Sequence, residues 1–155
     1  MLTESFRDLI SAFNAEKVEY LVVGAYLLAA HGIPRATGDI DLWVKRHKPN
    51  GARVMSALRQ FGAPLDNLSA EDFLTPDNVI QIGYPPERID ILTEIESVDF
   101  DEAYDEKLDV AVDGVALPCL SLRHLIINKK AVGRPQDLAD IEQLRKLGSP
   151  SGKTD

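Results

Sequence analysis

The chain has 155 residues, 45% of them apolar, which falls in the size range of one domain and is enough for a continuous core. Its one cysteine, Cys119, excludes an intramolecular disulfide, and no apolar run approaches the ~20 residues of a bilayer-spanning helix. The net charge of −8 argues at first against polyanionic partners, but residues 94–113 hold nine acidic side chains against Lys107 alone and account for the whole excess, so a polyanionic substrate remains admissible.

The first seventeen residues mix Glu4, Arg7, Asp8 and Glu16 with apolar ones and lack the uncharged core of a signal peptide. With the lone cysteine, this makes a cytoplasmic protein the expectation. Phe6, Leu9, Ile10 and Phe13, spaced by three and four, predict an amphipathic helix over 3–15. The apolar run 20–23, closed by Gly24, predicts a buried strand. A short helix over 25–31 follows, ended by Gly32 and Pro34. A second strand is expected over 39–44 and a helix over 52–61, with Val54, Leu58 and Phe61 on one face. Residues 79–83 and 88–95 read as two strands of a hairpin turning at 84–87. The acidic segment carries a short helix near 100–107. Residues 110–117, broken by Asp113-Gly114, form a second hairpin. Ser121 caps a helix to about 132, and Pro135 opens another to about 147. One domain over 1–147 is expected, with a sheet core over about 18–117 and a frayed tail over 148–155. The order of elements indicates an α/β (α+β) fold: a mixed central sheet flanked by helices, with a helical C-terminal part.

The chemistry concentrates in Asp39-Ile40-Asp41-Leu42-Trp43-Val44. Alternate side chains of a strand share a face, so Ile40, Leu42 and Val44 point to the core and both aspartates point away from it, about 6 to 7 Å apart. Like charges so placed repel, and a divalent cation is the common compensation. Mg²⁺ (or Mn²⁺) takes hard oxygen ligands, typically one or two carboxylates plus substrate phosphates. Arg88-Ile89-Asp90-Ile91 repeats the alternation, and Asp90 joins the aspartates if the two strands are neighbours. Three carboxylates on one face suit a two-metal centre, with Asp90 as general base. The competing reading is the solvated face of an edge strand. Gly24-Ala25, at a strand-to-helix step, suits close approach of phosphate to backbone N–H groups. Arg35 and Thr37 lie in the connector, where an arginine neutralises phosphate or simply meets solvent.

These residues carry a resemblance. Gly24-Ala25, then Arg35-x-Thr37-x-Asp39-x-Asp41, then a single later aspartate, resembles the signature of the polymerase-beta-type nucleotidyltransferase superfamily. More narrowly it is similar to the AbiEii-like toxin nucleotidyltransferases, and Asn128-Lys129 with Gly133-Arg134, Asp137 and Asp140 fits that group too. The two segments cover about forty residues. The resemblance implies a polymerase-beta-like fold and transfer of a nucleoside monophosphate from a nucleoside triphosphate, with Mg²⁺, to an acceptor hydroxyl, on tRNA or a protein. It also implies a possible antitoxin or toxin partner. Ala25 departs from the Ser or Gly often found there, which removes a hydroxyl contact to phosphate and leaves open a catalytically silent nucleotide-binding or partner-binding module.

Read without that resemblance, the helix from Leu122 places Lys129 in the middle of its apolar stripe, which is costly unless the ammonium meets an anion or water. Asp137 falls inward near the start of the next helix. The expectation is that Lys129 binds phosphate and Asp137 orients it, with Asp140 a weaker candidate. His31 and His124 lack metal-ligand spacing and read as surface or cap residues. Trp43 shares the aspartate face, to stack on a base or to pack under a loop. A haloacid-dehalogenase-type phosphatase, the other use of Asp-x-Asp, ranks low because Leu42-Trp43 follows and Gly24 goes unexplained.

Overall fold

The computed structural model describes residues 2–33, 38–84 and 87–148. The amphipathic N-terminus folds as α1, Glu4–Ala15, capped by Thr3, whose Oγ1 accepts the Phe6 N–H at 3.2 Å. Phe6, Leu9, Ile10 and Phe13 are fully buried, as their spacing requires. β1, Tyr20–Val23, is buried along its whole length, and α2, Gly24–Ala30, follows without a break. β2 is Asp39–Val44. α3, Lys48–Phe61, begins a turn earlier than the apolar pattern indicates. Pro49 sits in its first turn, where the missing N–H costs nothing, and Asn50 is fully buried there.

A 3-10 helix, Ala70–Phe73, closed by a reciprocal Ser69 and Asp72 capping box, has no clear apolar period and was not expected. β3, Val79–Tyr84, and β4, Glu87–Leu92, form the expected hairpin. β4 ends at Leu92 rather than 95, and just past it the Thr93 Oγ1 donates to Thr75 O at 2.6 Å and accepts the Asn78 N–H at 2.9 Å. α4 is Phe100–Asp105, and β5, Leu108–Val112, meets β6, Val115–Cys119, through a two-residue turn. Asp113 and Gly114 both have positive φ, 51° and 79°, the backbone that Asp-Gly supplies most readily in a right-twisted hairpin. α5, Leu122–Val132, is capped by Ser121, and α6, Pro135–Gly148, starts at its proline. Of the expected tail, residues 149–155 lie outside the described residues, as does 85–86 of the hairpin turn.

The six strands form one mixed sheet in the order β3-β4-β2-β1-β6-β5. β2 runs antiparallel to β1 and parallel to β4, and β1 runs parallel to β6. Ile40, Leu42, Val44, Ile89 and Ile91, on one face of β2 and β4, belong to one core cluster with Phe6, Leu9, Ile10 and Phe13 of α1 and Val54, Ala57 and Leu58 of α3. That burial fixes register, because a one-residue slip would exchange every apolar side chain for its polar neighbour. Asn50 adds a bracket across the chain reversal: its Oδ1 accepts the Glu19 N–H at 2.8 Å, and its Nδ2 donates to Glu19 O and Lys45 O at 3.0 and 2.9 Å. No helix among the described residues is long and apolar enough to cross a membrane.

Candidate active site

Because β2 and β4 are adjacent and parallel, the two alternating segments meet side by side: Asp39 opposite Arg88, Asp41 opposite Asp90, Trp43 opposite Leu92. The face turned away from the core therefore carries Asp39 and Asp41 on one strand and Asp90 on the next. This is the convergence expected from the sequence, and it rests on a pairing that local pattern does not encode.

Arg88 was not singled out in the sequence, although it stands two residues before Asp90 on the same face. Its Nε donates to Asp90 Oδ1 at 3.0 Å, and its Nη2 donates to Asp39 Oδ2 at 3.1 Å and to Asp90 Oδ2 at 3.3 Å. One guanidinium thus ties the two strands across the acidic face. The Asp41 carboxyl is pushed up to about 7, first by burial, then by the charge of Asp90 and a hydrogen bond with it, and by Asp39; Arg88 pulls the other way. Near neutral pH the carboxyls outnumber the one positive group among them. Among the described residues no three His, Cys, Asp or Glu side chains converge tightly enough to enclose a metal ion, and Arg88 lies bonded between two of the aspartates.

Gly24 completes the arrangement. Its φ is +76°, and a Cβ there would overlap the Asp41 carboxylate at Oδ2. Only glycine lets the strand-to-helix step pass this close to the carboxylate. Ala25 follows, half-buried in the first turn of α2. A cleft of about 310 Å³ opens over Gly24 and Asp41, walled by Leu92 and Ile95 and by Asn128 and Val132 of α5. A second chamber, of about 560 Å³, lies beside it and shares Glu94 and Ile95 as a wall.

The remaining sequence-predicted residues fall elsewhere. Lys129 does not appear among the residues lining the 310 Å³ cleft. Its Nζ donates to Asp137 Oδ1 at 3.2 Å and to Asp140 Oδ2 at 3.0 Å, both carboxylates being almost wholly buried. Arg134 closes the other side of Asp137, which it and Lys129 hold down at about 2. The lysine in the apolar stripe has thus found its anions within the chain, Asp140 as well as the expected Asp137. Arg35 and Thr37 lie outside the described residues. Trp43 is buried under Phe100, ring centroids 5.0 Å apart and edge to face, so it packs beneath α4 and presents no face to a base. His31 is the C-cap of α2, its backbone N–H bonding carbonyls of that helix, and its Nε2 bonds Leu120 O at 3.1 Å. His124 corrects the surface reading: it is 3% exposed and hydrogen-bonded to Ser121 Oγ through Nδ1.

A mixed six-stranded sheet flanked by helices is an arrangement shared with solved nucleotidyltransferase structures. A candidate nucleotidyltransferase (TM1012) of Thermotoga maritima superposes with a TM-score of 0.58 at 18% identity, over 91% of this chain and 88% of that one. The antibiotic-resistance factor ANT(2'')-Ia in solution gives 0.58 at 11% identity, over 95% and 84%. The same factor in complex with adenylyl-2''-tobramycin gives 0.55 at 10% identity, over 94% and 88%. No curated protein is similar enough in sequence to be matched. Residues 2–153 match the family described as nucleotidyl transferase of unknown function, DUF2204, and the chain belongs to it.

Proposed function

We propose that the chain transfers a nucleoside monophosphate from a nucleoside triphosphate to an acceptor hydroxyl, with Mg²⁺ or Mn²⁺ held by Asp39, Asp41 and Asp90. The observation that carries this reading is the pairing of Asp41 with Asp90 across two parallel strands, with Gly24 cleared from the space beside Asp41. The donor set fits the ion: three carboxyls offer hard oxygens only, and Asp41, pushed up to about 7 first by burial and then by the neighbouring Asp90 and Asp39, stands where a cation would relieve the crowding. When bound, the ion would neutralise triphosphate charge and favour attack at the transferred phosphorus.

The chain's own residues divide the remaining work. Gly24 and Ala25 offer backbone N–H groups to the phosphates, with Arg35 and Thr37 supplying charge and a hydroxyl from the connector. Lys129, Asp137 and Asp140 hold α5 against α6, and through α5 they set the position of Asn128 and Val132 over the cleft; phosphate binding by Lys129 itself would require it to leave two buried carboxylates. Asp90 takes the acceptor's proton, which requires Arg88 to release at least one of its oxygens.

The AbiEii-like string around Asp39 supports a toxin role with an antitoxin partner and a tRNA or protein acceptor. The adenylyl-2''-tobramycin bound to ANT(2'')-Ia supports a small hydroxylated acceptor. Ala25 favours a second reading, a nucleotide-binding or partner-binding module without turnover. Incubation with Mg²⁺ and each of the four α-labelled triphosphates, offering bulk tRNA, the protein itself and a hydroxylated antibiotic, separates the readings. Label transfer that EDTA and Asp41→Asn both abolish supports the enzyme. Triphosphate binding with no transfer to any acceptor supports the module.

A further inference from the structure

We propose that Arg88 is a resident counter-cation of the acidic face, which the metal–triphosphate complex displaces and the free metal ion does not readily displace. This rests on the reading that Asp39, Asp41 and Asp90 form the metal centre. Arg88 then changes partner, from carboxylate to phosphate, as the complex binds.

The geometry gives Arg88 both strands at once: Nη2 reaches Asp39 on β2 and Asp90 on β4, while Nε takes the second oxygen of Asp90. Both Asp90 oxygens are therefore engaged by one guanidinium, and Asp90 is the most buried of these three side chains, 13% exposed against 37% for Asp39 and 31% for Arg88. A divalent ion of magnesium size needs oxygens at about 2.1 Å in a near-octahedral set. The described side chains hold no such tight group, so the aspartates must turn inward and the guanidinium must give up at least part of its fork.

Charge decides what can dislodge it. A free divalent ion gains the carboxylates but leaves the guanidinium without an anion and places two cations side by side. A metal–triphosphate complex brings its own phosphate oxygens, and a planar guanidinium bonds phosphate as well as it bonds carboxylate. The one-third exposure of Arg88 gives it room to swing. Its charge is then conserved on the site, moved from carboxylate to phosphate, and Asp90 is freed as a base in the same step. Metal and triphosphate binding must consequently be coupled, each raising the other's affinity by the same factor.

The test is Mn²⁺ titration, followed by electron paramagnetic resonance, of the wild type, Arg88→Met, Arg88→Gln and Arg88→Lys, each with and without non-hydrolysable triphosphates. Circular dichroism melts confirm the fold of each variant, and the Met and Gln variants serve as alternates should one fail to fold. Loss of the guanidinium should tighten binding of Mn²⁺ alone about tenfold and shrink the gain that triphosphate adds. Lysine, a single point charge, should fall between. Free Mn²⁺ bound no more tightly by the Met or Gln variant than by the wild type, with Asp41→Asn abolishing binding in both, overturns the role of Arg88 and leaves the metal centre standing. Mn²⁺ binding that ignores Asp39→Asn and Asp41→Asn overturns the metal centre, and this proposal with it.

Discussion

At the acidic face, Asp41 of β2 and Gly24 of the preceding step are pressed together. Asp41 is held protonated to about 7 in the fold, against an ordinary value near 3.8. Between those values the folded protein keeps a proton that the unfolded chain has released, so raising the pH costs stability. In EDTA, the contribution of Asp41 is complete below pH 4, declines as pH rises toward 7 and is gone above it. Asp41→Asn, which cannot ionise, should flatten this decline and melt higher than the wild type at pH 7.5, while losing nucleotide transfer. Equal melting temperatures at pH 7.5 would place Asp41 in a less crowded setting than the structure gives it. Gly24 makes the opposite prediction. A methyl there overlaps Asp41 Oδ2, on a backbone with φ of +76°. Gly24→Ala should cost about 2 kcal/mol or more in a denaturant titration and abolish Mn²⁺ binding, because the carboxylate must move.

At the scale of elements, the α5–α6 pair shows what a charged residue in an apolar stripe means. Lys129 is 12% exposed and meets Asp137 and Asp140, 2% and 1% exposed. Removing one member of a buried ionic cluster leaves the others uncompensated, a loss of about 3 kcal/mol. Lys129→Met should therefore lower stability by about that amount and weaken triphosphate binding only through the shifted helix. Stability kept and triphosphate affinity lost would instead make Lys129 a direct phosphate ligand. Asp137 is depressed to about 2 by Arg134 and Lys129, so its contribution is present above its unfolded value near 3.8 and is lost as pH falls toward 2.

Across the whole molecule, the alternation of Asp39-Ile40-Asp41-Leu42 and Arg88-Ile89-Asp90-Ile91 makes one strand face legible in each segment from sequence alone. It leaves the sheet order unknown. That β4 lies beside β2, and in parallel, depends on the 43 residues between Val44 and Arg88, which carry no pattern specifying the pairing. Arg88 was overlooked for the same reason: its partner Asp39 is a neighbour only after β2 and β4 pair. Trp43 read correctly as sharing the aspartate face, but the Phe100 that covers it comes from α4, within the acidic segment. Asn50 gave no signal at all, since a polar residue in a helix start ordinarily faces water. Helices with strong apolar periods, α1 above all, were legible nearly to the residue. The 3-10 helix and the end of β4, where Ser69, Asp72 and Thr93 make side-chain hydrogen bonds, were not.

The proposed chemistry requires the carboxyls of β2 and β4 to grip one ion together. A crystal structure of the chain with Mn²⁺ and a non-hydrolysable triphosphate measures this through the anomalous signal of manganese. The predicted result is a manganese peak about 2.1 Å from oxygens of both Asp41 and Asp90, with the triphosphate passing Gly24. Triphosphate seated at Lys129 with no manganese between the two strands would contradict it.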